Sequence, residues 1–77
     1  MDFDRVRITN AGNVGPTVGR LITRSAMNRI DVCRAAGISD QSLREWVDGR
    51  GMQTYNLVRV LDVLGYDLVI EKREGKP

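Results

Sequence analysis

Gln41 and Arg44 stand three residues apart in the segment S-D-Q-S-L-R-E-W-V that begins at Ser39. On a helix this spacing puts both on one face, a turn apart. Their side chains carry planar, paired hydrogen-bonding groups. The amide matches N6 and N7 of adenine and the guanidinium matches O6 and N7 of guanine, each pairing contributing about 1 to 3 kcal/mol of base discrimination. Asp40, Ser42 and Glu45 flank them. A carboxylate among phosphates is repelled, so Asp40 and Glu45 have two readings. Either accepts a hydrogen bond from cytosine N4, or Asp40 stabilises the positive end of its helix while Glu45 pairs with a nearby arginine; the second is the expectation. Ser42, between the inward and outward sides, is assigned to a phosphate or a base edge. A second set, Asn28, Arg29, Arg50 and Gln53, with Arg24 and Arg20 as weaker members, has the donors needed for phosphate oxygens.

These residues need a scaffold that aims them, and two short helical patterns meeting at Gly37 supply it. Asn28 is the expected cap of the first. Gly37 ends that helix in the left-handed conformation, and Ser39 caps the second two residues later, before Asp48-Gly49 closes it. This is the layout of a helix-turn-helix, in which the second helix is held at a steep angle with one face free for a DNA groove. Ile38, Leu43, Trp46 and Val47 then point inward, which leaves Asp40, Gln41, Arg44 and Glu45 outward. Trp46, three residues from Leu43, belongs to the core rather than to a base-stacking platform. Cys33 shares a buried stripe with Val32 and Ala36 and is read as a small hydrophobe, not a redox sensor.

The remaining segments complete a mainly α domain of four to five helices. Residues 1–15 form an N-terminal strand or arm, 16–65 the helical core, and 66–77 a strand and tail. Residues 3–9 alternate Val6 and Ile8 against Arg5 and Arg7, the pattern of a short strand or of an unstructured arm. Residues 10–16 are turn formers and connect to a helix with Pro16 at its first position. That helix presents Val18, Leu21, Ile22, Ser25 and Ala26 on one stripe, with Arg20 and Arg24 on another face. Thr54 is the expected cap of a last helix, residues 55–64, that ends at Gly65. There Leu57, Val58, Leu61 and Leu64 are assigned to the core, which leaves Val60 and Val63 surplus. After Tyr66 the β-prone segment puts Leu68 and Ile70 on one side and Val69 on the other, a strand that wants pairing. Val60, Val63, Leu68, Val69 and Ile70 are therefore the expected dimer interface, with Arg5 and Arg7 facing Asp67 and Glu71.

Composition is consistent with this reading. At 77 residues the chain is one small, marginally stable domain for which a partner subunit is expected. The net charge is only +2, but ten of the twelve basic residues are arginine, the residue suited to bidentate phosphate and guanine contacts. One cysteine forms no internal disulfide, and no apolar run approaches a membrane span or follows a charged start as in a signal peptide, so a cytoplasmic protein is expected. There is no histidine, no clustered carboxylate pair and no second cysteine, so neither enzyme chemistry nor a metal or cofactor is expected. Gly12-Asn13-Val14-Gly15 formally matches the G-x-x-G of RNA-binding KH domains, but the strands and helices needed around a KH loop do not appear in that order, and a glycine-rich linker is the simpler account.

Residues 17–65 resemble the lambda-repressor-like, Xre-type helix-turn-helix family of bacterial and phage regulators. Met27-Asn28-Arg29, Val32-Cys33, Ala36-Gly37, Ser39, Leu43 and Asp48-Gly49 carry the resemblance. Arg29 departs from the family's usual glutamine and keeps a DNA-facing donor; Val47 departs from its usual glutamate and removes a structural charge. The segment after Gly65 resembles the subgroup that dimerises through a C-terminal strand, some antitoxin-type repressors among them. The resemblance implies a homodimeric repressor that reads a palindromic double-stranded operator, in the bacterial cytoplasm or a phage-infected cell, and acts by occluding polymerase. A toxin or other regulatory protein bound through the last helix and terminal strand is the alternative it implies.

Overall fold

A computed structural model of the chain describes residues 5–75. After a 3-10 turn at Ala11–Asn13 come four helices: α1, Val14–Arg24; α2, Arg29–Ala36; α3, Asp40–Val47; and α4, Thr54–Leu64. The mainly α expectation is met. Among the described residues none is in a strand, and no helix is long and apolar enough to cross a membrane.

Local chemistry sets the helix ends around the central turn. The Asn28 side chain accepts a hydrogen bond from the Asp31 N–H at 2.9 Å, and Ser39 Oγ accepts one from the Ser42 N–H at 3.1 Å. Each satisfies a backbone donor that the first turn of a helix leaves without an internal partner. Gly37, at φ 73°, ends α2, and Gly65, at φ 86°, ends α4. Both glycines sit where a side chain would strain the backbone.

Three boundaries differ from the sequence reading. α1 starts at Val14, inside the expected connector, because the Asn10 side chain accepts from the Gly12 N–H at 2.8 Å and starts a 3-10 turn that runs into the helix. Pro16 is consequently the third residue of α1, a first-turn position whose missing N–H costs no helical hydrogen bond. α1 stops at Arg24, where Ser25 Oγ donates to the Ile22 carbonyl at 2.7 Å and accepts from the Met27 N–H at 3.2 Å, so Ala26 is exposed rather than on the apolar stripe. Thr54 is the first residue of α4 and not its cap; Gln53 occupies the cap position without a side-chain bond.

One core cluster joins Val18 and Ile22 of α1, Val32, Cys33 and Ala36 of α2, Leu43 and Trp46 of α3, and Val60 of α4. Val60 is wholly buried in this cluster and so is not the interface residue expected, whereas Val63 is half-buried against the same cluster and keeps part of its surface open. Val58, assigned to the core, is exposed. On the α4 wheel, Val60 and Val58 lie about 70° and about 90° to either side of the Leu57, Leu61 and Leu64 stripe. Both are edge positions, and the packing of α2 on α4 covers the Val60 side.

Two glycines let α1 lie against α3. A Cβ on Gly15 would fall on the Trp46 carbonyl oxygen, and one on Gly19 would come within 2.9 Å of Val47 Cγ1. The supposed linker glycine Gly15 is therefore a packing residue, and α1 braces the back of α3.

Outside the helices, residues 5–9 and 66–73 run over the same end of the helical body. Arg5 and Arg7 both reach Glu71, at 3.2 and 3.9 Å. The expected pairing of these arginines with Glu71 is thus present within one chain, while Asp67 makes no ion pair among the described residues. No backbone hydrogen bond links the two segments among the described residues. Without such a ladder, the expected terminal strand is an irregular arm in the single chain, since an isolated pair of strands is at best marginally stable in water. Between the arms and the helices lies a groove of about 1250 Å³ whose apolar lining includes Leu57, Leu61 and Leu64.

Candidate nucleic-acid interface

α3 turns its buried side, Leu43 and Trp46, to the core and its opposite side to solvent. Gln41 and Arg44 are both exposed there, one turn apart. Trp46 is buried and so removed from any base-stacking role. Glu45 and Ser42 are half-buried. Ser42 is turned back to the helix cap, where its hydroxyl accepts a hydrogen bond from Ser39 Oγ at 2.8 Å, which makes it a structural residue first. Glu45 makes no ion pair among the described residues, contrary to the expected arginine partner.

Asp40 is the centre of the surface. Its Oδ1 accepts from Arg29 Nε at 2.6 Å, and its Oδ2 lies 3.0 Å from Arg44 Nε. The carboxylate is therefore engaged on both oxygens and is not aimed outward as a free acceptor for cytosine. The Arg44 pair spans one turn of α3, whereas the Arg29 pair crosses from the first residue of α2 to the first residue of α3. It brings an expected phosphate-binding residue against an expected base-reading one. The sequence reading missed this link because its partners are eleven positions apart and meet only once the turn at Gly37 sets the angle between the helices. The available signal was the presence of opposite charges at the first position after each cap.

Beneath this cluster, the Cys33 thiol lies 3.9 Å from the Ser39 carbonyl oxygen. Burial pushes the thiol up from its usual value, the Asp40 carboxylate pushes it the same way, and Arg29 opposes. A protonated thiol is a poor nucleophile, in keeping with a packing role.

The outer ring is more dispersed. Asn28, Arg24, Arg50 and Gln53 are exposed. The Asn28 carbonyl oxygen is used in the cap of α2, which leaves its amide N–H groups as donors. Arg50 and Gln53 flank the start of α4, a helix whose N-terminus has no side-chain cap. Ile30, unassigned from sequence, stands 56% exposed beside Arg29 because it falls off the stripe formed by Val32, Cys33 and Ala36. No protein-family model, no curated protein and no solved structure matches the chain.

The surface is thus a convex helix edge with planar donors, bordered by arginines and by two helix N-termini. The major groove of B-DNA admits one α-helix, and α3 presents a single exposed helix face of that kind.

Proposed function

We propose that the chain is a sequence-specific double-stranded DNA-binding regulator of the lambda-repressor-like kind, which acts as a homodimer and represses transcription from an approximately palindromic operator. The observation that carries this reading is the exposed edge of α3, where Gln41 and Arg44 project one turn apart beside Arg29 from the start of α2. In this reading Gln41 and Arg44 contact base edges. Asn28, Arg29, Arg50 and Gln53 contact phosphates, with Arg24 at the margin. Leu68, Val69 and Ile70 are exposed in the single chain, Ile70 almost fully. In the dimer the arms pair with those of a second copy, which satisfies their open backbone groups and covers these side chains. Two copies then place their α3 helices about 34 Å apart on successive major grooves. In this reading the protein works in the cytoplasm and uses no cofactor, metal or catalytic step.

Selection from random duplex DNA at physiological salt tests it. An enriched palindrome is expected, and Arg44→Ala should relax the preference at one base pair of each half-site while leaving the salt dependence nearly intact. A folded protein that enriches nothing would sink the DNA reading.

A second reading rests on Tyr55 and Val58, exposed on the side of α4 away from the core, together with the apolar arm. That surface suits a partner protein of the toxin type, and DNA binding is then secondary. A neighbouring gene product that co-purifies with the chain and is released by Tyr55→Asp would favour it.

A further inference from the structure

We infer that Asp40 is the residue that sets base discrimination at this surface: it positions Arg44 and Arg29 for DNA without contacting a base itself. The inference rests on the DNA-binding reading above and deepens it. Both arginines approach the carboxylate through Nε, Arg29 as a hydrogen bond at 2.6 Å and Arg44 as an ion pair at 3.0 Å. A guanidinium held by Nε keeps the edge formed by its two terminal nitrogens for another ligand, and that edge fits O6 and N7 of guanine side by side. The Arg44 side chain remains 62% exposed, so this edge is accessible from outside. Holding a long side chain in one orientation before binding removes part of the entropy lost on association, and favours the base that fits that orientation.

The same carboxylate works against non-specific binding. It places a negative charge where phosphates approach and offsets one of the two arginine charges, so affinity for arbitrary DNA is lowered while the correctly oriented contact is kept. Asp31 provides an internal comparison. It also lies in the first turn of a helix, where it stabilises the positive end, yet it makes no ion pair among the described residues. A carboxylate needed only for the helix end would behave like Asp31.

The experiment compares wild type, Asp40→Asn, Asp40→Glu and Asp31→Asn by three measurements. These are the Nε–Hε NMR signals of Arg29 and Arg44 in the free protein, selection from random duplex DNA, and the salt dependence of binding to an arbitrary duplex. In Asp40→Asn both arginine signals should move to the positions of solvated side chains. Its preference at the base pair read by Arg44 should drop about threefold, the scale of one exposed ion pair, while binding to arbitrary DNA tightens. Asp31→Asn should tighten arbitrary binding without loss of preference. Asp40→Glu keeps the charge but displaces it, and should return arbitrary binding to the wild-type level with only part of the preference restored. If wild type enriches a site and Asp40→Asn enriches the same site as sharply, the inference fails while the DNA reading stands. Unmoved arginine signals would overturn it without any DNA present. If wild type itself enriches no sequence, the DNA reading fails and the inference falls with it.

Discussion

Val60 and Val69 are the same side chain in two regions built on different principles. Val60 is fully enclosed by the helical body, whereas Val69 is 72% exposed on the C-terminal arm. The body gets its order from inside the chain: caps at Asn28 and Ser39, left-handed glycines at Gly37 and Gly65, and one continuous core. The arms are tied to each other by Arg5, Arg7 and Glu71 at the surface, with apolar residues left in solvent. The C-terminal arm leaves Leu68, Val69 and Ile70 in solvent, while the face of α3 is already organised within the single chain by the ion pairs of Asp40.

The order of the helical body is most sensitive at Gly15. Gly15→Ala would force the start of α1 off the Trp46 carbonyl, an overpacking expected to cost about 3 kcal/mol and to lower the thermal midpoint by about 10 to 20 °C. A circular-dichroism melt that matches wild type would show that α1 and α3 are not in this close contact. Next in size is the valine pair itself. Val60→Ala should lose about 2 kcal/mol in urea denaturation, and Val69→Ala should stay within about 0.5 kcal/mol for the monomer. Equal losses would place the arm in the core. Val69→Asp adds the other half of the contrast: sedimentation should show a monomer with unchanged helix content and much weaker site binding, and a variant that stays dimeric removes the arm from the interface.

A smaller effect is read against pH. The Cys33 thiol has a folded value raised by burial and by Asp40, so its stabilising contribution is complete below the ordinary thiol value. It is lost as pH rises through the raised one. Urea midpoints from about pH 7 to about pH 10 should therefore decline more steeply for wild type than for Cys33→Ala, and parallel curves would show a thiol that titrates normally when folded. Smallest of all is Glu71→Gln. The exposed Arg5 and Arg7 pairs are expected to contribute under about 0.5 kcal/mol, so stability should barely change while amide exchange in residues 66–73 speeds up.

Much of the body was legible because its signals are local. Asn28 meets the Asp31 N–H, and Ser39 meets the Ser42 N–H, three residues away in each case. The buried stripes of α2 and α3 follow from helical periodicity, which fixes Val32, Cys33, Ala36, Leu43 and Trp46. Pro16 does not mark the start of α1, because any first-turn position spares the missing N–H and Pro16 stands third in the helix. Val58 and Val60 both lie at the edge of the α4 stripe, and periodicity alone does not say which edge a neighbouring helix covers; α2 covers that of Val60.

The turn from α2 to α3 and the outward placement of Gln41 and Arg44 follow from local sequence alone, because contacts three or four residues apart depend only on backbone geometry that the residues themselves favour. Tertiary structure decided what depends on how separate helices meet. It put the Cβ position of Gly15 on the Trp46 carbonyl, buried Val60 beneath α2, and brought Arg29 and Arg44 to one carboxylate. Such contacts are set by crossing angles and by core volume, which belong to the whole packed chain and to no single segment of it.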